Sequence, residues 1–421
     1  MVLQLSQEVQ DFLKEEYPNT VIDNMSLDEL KIFKEEIVAK RQELNLLEQA
    51  QKRCGNAAYG AAASPYFYFF NVDLAADITG ECRLLTKTMW DNFEQWFHHD
   101  IWERKDLWEK FDFALDPSKK EWFESQVISN YSDTDSVYVT YGTFFECFTE
   151  EYKKKYDTPR KKVEWILKYN QEFQDKKNNE WCNEIYEPRH GKSIHNFELE
   201  TISRATINLK KKKYLKALAY YKGRFYDDPK IAGTGIEIIK STTPKLCREI
   251  LIDLTRSLVF ESAEMDKETY IYYFNEKLAD YKKKFYTAPI EDISMSVGIG
   301  DYDKYVIDDK NQLLLGRQCP VSVQAIARYN YLAHQNGEDN KRQVSGKIKY
   351  YNIRVSQKQS ASPGYFGFPA GELPDWAPPI ALDIQWQKTI VDPINRFLEV
   401  MDFPLVNAAG VMQLSLFGFG E

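Results

Sequence analysis

The chain has no stretch approaching the ~20 uncharged apolar residues that a membrane helix needs, and its start, Met1-Val2-Leu3-Gln4-Leu5-Ser6, lacks a basic segment followed by an apolar run. A soluble, unprocessed intracellular protein is expected. Cys54, Cys82, Cys147, Cys182, Cys247 and Cys319 show no Cys-x-x-Cys spacing, and the five histidines add no zinc-type cluster. The cysteines read as reduced and structural. Internal repeats and low-complexity tracts are lacking. Excess positive charge is lacking as well: the net charge is -9, a weak argument against a polyphosphate partner, since binding one releases counterions only where cations are concentrated.

Local density counts for more than the sum. From Thr201 to Phe225 there are eight basic residues, Arg204, Lys210, Lys211, Lys212, Lys213, Lys216, Lys222 and Arg224, and no acidic one. An acidic protein can therefore still present a basic stripe. The 421 residues, 43% hydrophobic and 14% aromatic, suffice for a large core and two or three domains.

Residues 27–55 predict one amphipathic helix, with Leu27, Leu30, Phe33, Ile37, Leu44 and Leu47 near helical spacing, Ile32 and Leu46 widening the stripe, and Ser26 with Glu29 forming a capping box. A second helical region, rich in Trp and Phe, spans about 77–113. The period then changes. Val127–Tyr131 and Ser136–Tyr141 are β-branched and aromatic runs separated by Asp133-Thr134, which predicts a hairpin. Residues 145–187 read as charged helix, and Ile194–Tyr221 as a strand-rich region ending in a Lys222-Gly223 turn. Helices return at 244–262, 266–284 and 383–400, with a domain boundary expected near 233–244.

Three constellations carry chemistry. Tyr131-Ser132-Asp133-Thr134-Asp135-Ser136 sets two carboxylates at the turn of an otherwise apolar hairpin. Phosphoryl transfer from a nucleoside triphosphate calls for such oxygen ligands, which hold Mg²⁺ against the phosphates; a solvated turn is the bland alternative. Lys52, Asn56 and Tyr59 fall at i, i+4 and i+7 on one helix face, where lysine and amide could grip a triphosphate and tyrosine could pack on a base pair. A helix surface ending in a glycine cap at Gly55 or Gly60 would explain them equally. In Lys210-Lys211-Lys212-Lys213-Tyr214, strand alternation would put Lys210 and Lys212 on one face and Lys211 and Lys213 on the other, one pair facing phosphates. A nuclear-targeting tetrapeptide or a charged edge strand is the competing reading.

Together and in this order, these motifs resemble the family B DNA polymerases, most closely those of T-even-type phages, over nearly the whole chain. Further likenesses are Phe197-Glu198-Leu199-Glu200, Lys240-Ser241-Thr242-Thr243-Pro244, and Cys319-Pro320 to Arg328-Tyr329-Asn330. The resemblance implies an α+β protein with right-hand architecture: fingers segment 1–62, antiparallel-sheet palm 63–233, mainly helical thumb 234–408 and sliding-clamp-binding tail 409–421. It implies DNA-directed DNA synthesis with Mg²⁺ held by Asp135 and Asp133, with Glu200 as a third candidate ligand. Lys52, Asn56, Tyr59 and Thr134 would meet the nucleotide. Lys211, Lys212, Lys213, Tyr214 and Lys240 would meet primer-template DNA, and Leu414, Leu416, Phe417 and Phe419 would plug a pocket on the clamp. An infected bacterial cytoplasm is the implied compartment.

Three positions depart from the family pattern: Ala57 where Ser is usual, Ser132 where these phages have Gly, and Lys213 where Arg is usual. The last keeps charge and loses bidentate phosphate geometry. More important, the family's other essential aspartate, in an Asp-x-x-Ser-Leu-Tyr-Pro motif, has no counterpart, and neither does the proofreading exonuclease. A partner subunit carrying both is therefore expected, the join falling within the fingers. Met1 and an intact first helix favour a natural subunit over a piece of a longer protein. The rival reading is a non-catalytic, polymerase-derived module that grips DNA and recruits the clamp.

Overall fold

The computed structural model describes residues 25–133, 135–193, 195–355, 364–407 and 409–413. The chain divides into two compact units, 1–88 and 89–421. Among the described residues no helix is long and apolar enough to cross a membrane. The six cysteines are unpaired; Cys147, Cys182 and Cys247 are buried and Cys54 is exposed.

In the first unit, helix α1 (Leu27–Ala62) runs for 36 residues. It begins where the sequence predicts: Ser26 caps the Glu29 N–H, and the Glu29 carboxylate accepts the Ser26 N–H at 2.8 Å, which holds that carboxyl below its usual range. It ends later than predicted. Gly55 and Gly60 lie inside the helix, and the chain leaves it only at Ala63, so the glycine-cap alternative is set aside. The apolar stripe is largely uncovered: of its members Phe33 is buried, whereas Leu27, Leu44 and Leu47 are exposed. Helix α2 (Val72–Gln95) follows, residues 72–88 in the first unit and 89–95 in the second, its first turn capped by Asn71, whose side chain accepts the Leu74 N–H at 3.0 Å.

The second unit is α+β, built from several small antiparallel sheets and the helices around them. Strands β1 (Ser129–Asp133) and β2 (Ser136–Val139) form the predicted hairpin. Helices α3 (Pro159–Tyr169) and α4 (Asp175–His190) fill the charged helical region. Aromatic contacts hold them: Phe93 meets Trp181 of α4 at 5.6 Å, Phe113 meets Trp165 of α3 at 5.4 Å and stacks on Phe148 at 5.3 Å, and Trp165 donates its indole N–H to the Phe111 carbonyl at 2.8 Å.

Strands β3 (Thr201–Lys210), β4 (Lys213–Tyr221) and β5 (Arg224–Thr234) then make a three-stranded antiparallel sheet. The Lys222-Gly223 turn is as predicted, with Gly223 at φ 81°. Two features were not read from the sequence: β5 itself, and a turn inside the lysine run. Helices α5 (Lys245–Phe260) and α6 (Lys267–Tyr286) match the predicted amphipathic segments. A second sheet intrudes on the expected helical region. Strand β6 (Met295–Ile299), helix α7 (Val321–Gln335), and strands β7 (Gly346–Ile353) and β8 (Gly364–Pro369) pack around Ile326, Tyr329, Tyr351 and Phe366, with strand order β8-β7-β6. Helix α8 (Asp392–Val400) completes a core in which Ile207 and Leu215 of the β3–β5 sheet pack with Leu254, Phe274 and Phe397. That shared core clamps the lysine-bearing strands to the helices behind them.

Candidate functional site

In the β1–β2 hairpin, Tyr131 pairs with Tyr138, Ser132 with Val137 and Asp133 with Ser136. Alternation along β1 puts Tyr131 and Asp133 on one face. The Asp133 side chain is 25% exposed and Asp135 stands in solvent. The root of the hairpin is fastened by Glu94 of α2, whose carboxylate accepts the Ser129 N–H at 2.6 Å and the Ile128 N–H at 3.2 Å, with His98 Nδ1 3.6 Å away. A carboxylate taking backbone N–H groups forms strong charge-assisted bonds, so the strand leaves the helix at a defined place.

The lysine run is a turn, which corrects the expected alternation of its four side chains. Lys210 pairs with Lys213, and the chain reverses through Lys211 and Lys212, with Lys212 at φ 59°. Lys211 and Lys212 stand exposed at the tip, while Lys213 and Tyr214 are half-buried on β4. Gly235 supports this turn from behind. It has φ +66°, and a Cβ there would lie 2.3 Å from the Lys212 carbonyl oxygen, so both backbone conformation and space call for glycine.

The two turns meet. Lys212 donates its backbone N–H to the Tyr131 phenolic oxygen at 2.9 Å, and its Nζ lies 3.7 Å from Asp133 Oδ1. Beneath them Tyr131, Tyr138 and Tyr214 pack edge to face, with centroids 5.2, 5.4 and 5.7 Å apart. Burial, reinforced by a hydrogen bond with Tyr214, pushes the Tyr138 phenol far above its usual range. Lys216 Nζ sits 4.4 Å from the Tyr138 centroid and 5.3 Å from that of Tyr214. Sequence reading missed Tyr138, Lys216, Gly235 and Glu94; the basic stripe and the apolar hairpin were visible signals, but their meeting was not.

Glu200 stands just before β3, and its carboxylate acts on Lys222 and, more distantly, on the Lys216 ammonium. The register Thr201↔Tyr221 at one end of β3 and Lys210↔Lys213 at the other puts a ten-residue strand between Glu200 and the lysine turn, and the Glu200 carboxylate lies 3.5 Å from Lys222 Nζ. Lys240 faces Glu237 at 3.4 Å, a carboxylate also held by Arg396 at 2.8 Å. In the first unit Lys52, Asn56 and Tyr59 share one exposed face of the unbroken α1, with Lys52 2.8 Å from Glu48. Thr134, Leu414, Leu416, Phe417 and Phe419 lie outside the described residues.

Magnesium takes six oxygens in near-octahedral geometry and commonly uses one or two carboxylates plus water and substrate phosphates. Asp133 and Asp135, hard oxygen donors two positions apart in the chain, are the residue types such a partial shell uses. Among the described residues no group of three or more His, Cys, Asp or Glu side chains gathers. A fuller shell calls for oxygens from substrate, solvent or another polypeptide. Compared with protein-family models and with curated proteins, the chain matches none of them.

Proposed function

We propose that this chain is the C-terminal subunit of a split replicative DNA polymerase of family B, with right-hand architecture. On this reading it transfers nucleotides from deoxynucleoside triphosphates to a primer 3′-hydroxyl and works with a partner carrying the exonuclease and the other essential aspartate. The observation that carries the reading is the joint between the acidic turn and the lysine turn: Lys212 touches both Tyr131 and Asp133, so a phosphate-seeking cation stands beside paired carboxylates.

The chemistry follows from that pairing. The primer hydroxyl attacks the α-phosphorus: a new P–O bond forms as the bond to the β-phosphate oxygen breaks, pyrophosphate leaves with that electron pair, and the hydroxyl proton passes to water. Bound magnesium supplies Lewis-acid stabilisation of the charge that develops on the phosphoryl oxygens. Asp135 and Asp133 hold their oxygens at the tip of a short hairpin, where two strands limit their motion. Lys212 and Lys211 present ammonium groups to the DNA backbone or groove edge from a turn braced by Gly235. Lys52 and Asn56 contact the incoming triphosphate, Tyr59 packs against the nascent base pair, and the tail from 409 onward tethers the enzyme to the sliding clamp.

Mixing the purified chain with a polypeptide that bears the missing aspartate motif, in a primer-extension assay, tests the proposal. Templated extension by the mixture, abolished by Asp135→Asn, is expected. DNA binding with no extension under any pairing, or extension indifferent to Asp135→Asn, would instead establish the non-catalytic clamp-recruiting module.

A further inference from the structure

Lys216 is an unusual cation. It stands on β4 two residues beyond Tyr214, on the same face, and is half-buried. Among the described residues it forms no ion pair with a carboxylate within 4 Å; its ammonium is held by the faces of Tyr138 and Tyr214. Burial holds that ammonium below the usual lysine range. Tyr138 belongs to the acidic hairpin and Tyr214 to the strand that issues from the lysine turn. The contact therefore spans two hairpins that no backbone ladder joins: β1 and β2 pair only with each other, and β3, β4 and β5 form a separate sheet.

We propose that Lys216 is a positioning residue, a cationic bolt between the two hairpins that sets where the acidic turn lies against Lys212. The physical argument is one of degrees of freedom. A two-stranded hairpin is marginal by itself and is steered by what its side chains touch. Here its root is held by Glu94, and its side is steered by the Tyr131 and Tyr138 rings against Tyr214, the Lys212 N–H on Tyr131, the Lys212 ammonium near Asp133, and the Lys216 ammonium on Tyr138. Aromatic edges tolerate sliding, because their energy varies slowly with angle. A cation over a ring face is attracted towards the centre of the quadrupole and so resists lateral displacement. Removing it leaves the rings in contact and frees the hairpin to shift by the fraction of an ångström that positions Asp133 and Asp135. A salt bridge could not substitute without cost, since a third carboxylate beside the acidic turn would repel the two already there.

The joint stands on geometry alone; its effect on nucleotide transfer rests on the polymerase reading above, and the experiment separates the two. In the full chain, the exchange rate of the Lys212 amide, whose N–H is bonded to Tyr131, is followed by hydrogen–deuterium exchange in the wild type, Lys216→Met, Lys216→Arg and Tyr138→Leu. Lys216→Met keeps the apolar stem and removes the charge, and is expected to speed that amide about fivefold, the factor matching a cation–ring contact of ~1 kcal/mol. Lys216→Arg should restore it to within about twofold, and Tyr138→Leu should reproduce the loss with the lysine intact. The rest of β3, β4 and β5 should exchange as in the wild type. A Lys212 amide unchanged in both Lys216→Met and Tyr138→Leu, no rescue by arginine, or a uniform rise across the sheet would each overturn the proposal. In primer extension with the partner, Lys216→Met should lower kcat about fivefold with the nucleotide KM unchanged; a rise in KM alone would overturn the positioning role. Absence of extension by the wild type would sink the polymerase reading, leaving the exchange result to judge the joint by itself.

Discussion

The backbone N–H of Lys212 donates a 2.9 Å hydrogen bond to the phenolic oxygen of Tyr131, a residue 81 positions earlier in the chain. This bond joins the tip of one hairpin to the side of another and gives the candidate site its shape. Tyr131→Phe deletes the acceptor while keeping the ring among Tyr138 and Tyr214. The expected cost is about 1 kcal/mol, the usual net value of one hydrogen bond. A urea titration should show an earlier midpoint with unchanged slope, and an unmoved midpoint would mean water replaces the phenol without loss.

Asp133 and Asp135 should affect activity far more than stability. Asp133 has a partner in Lys212 at 3.7 Å, but the lysine is 61% exposed and such pairs contribute roughly 0–1 kcal/mol. Asp133→Asn and Asp135→Asn are therefore expected to fold with stability within about 1 kcal/mol of the parent. If the chain is the polymerase subunit proposed, primer extension with its partner should fall by about 100-fold or more for Asp135→Asn, equivalent to ~2.7 kcal/mol of transition-state stabilisation. Equal losses of stability and activity would point to a structural turn.

Gly235 and Gly191 make a controlled comparison. Both have left-handed backbones, φ +66° and φ +73°, but a Cβ at Gly235 would meet the Lys212 carbonyl at 2.3 Å whereas one at Gly191 meets nothing within 4 Å. Gly191→Ala should cost about 1 kcal/mol from backbone conformation alone. Gly235→Ala should cost roughly 2–4 kcal/mol, because a clash with backbone is added to that strain. Thermal melts of the two variants decide it, and equal shifts would show that the β3–β4 turn can move aside.

Asp175 gives a pH dependence of stability. It opens α4 and accepts the Leu199 N–H at 3.0 Å; burial, with Glu198 nearby, pushes its carboxyl up to about 6 from 3.8, against the lowering effect of that bond. Between those values the folded chain keeps a proton that the unfolded chain has lost. This group's contribution to stability therefore falls as pH rises from about 4 to 6 and levels off above. For a carboxyl only half-buried, the change is on the order of 1 kcal/mol once solvent screening is allowed for. Asp175→Asn, which keeps an oxygen for the Leu199 N–H, should remove this part of the slope in denaturation curves taken across that range.

Much of the scaffold was legible because its causes are local. Ser26 and Glu29 sit three apart and satisfy each other's N–H groups, and the β-branched and aromatic runs around Asp133 alternate with period two. Other elements were misread for equally physical reasons. Four lysines in a row look like strand, yet the pairing of β3 with β4 and the Gly235 contact draw Lys211 and Lys212 into a turn. Gly55 and Gly60 look like helix stops, yet neither adopts the left-handed backbone of a cap.

The sequence by itself determined what chemistry the chain can offer: paired carboxylates at a hairpin tip, a basic stripe free of acid, and a lysine, an amide and a tyrosine on one helix face. These follow from covalent order and short-range periodicity, which act over a few residues. The tertiary structure alone decided which of these groups meet. It brought Lys212 and Lys216 to the acidic hairpin, sent Glu200 to the far end of β3, and placed Glu94 at the hairpin's root. Such meetings depend on strand register and on the packing of rings some 80 residues apart in sequence, where a shift of one residue would turn every side chain to the opposite face.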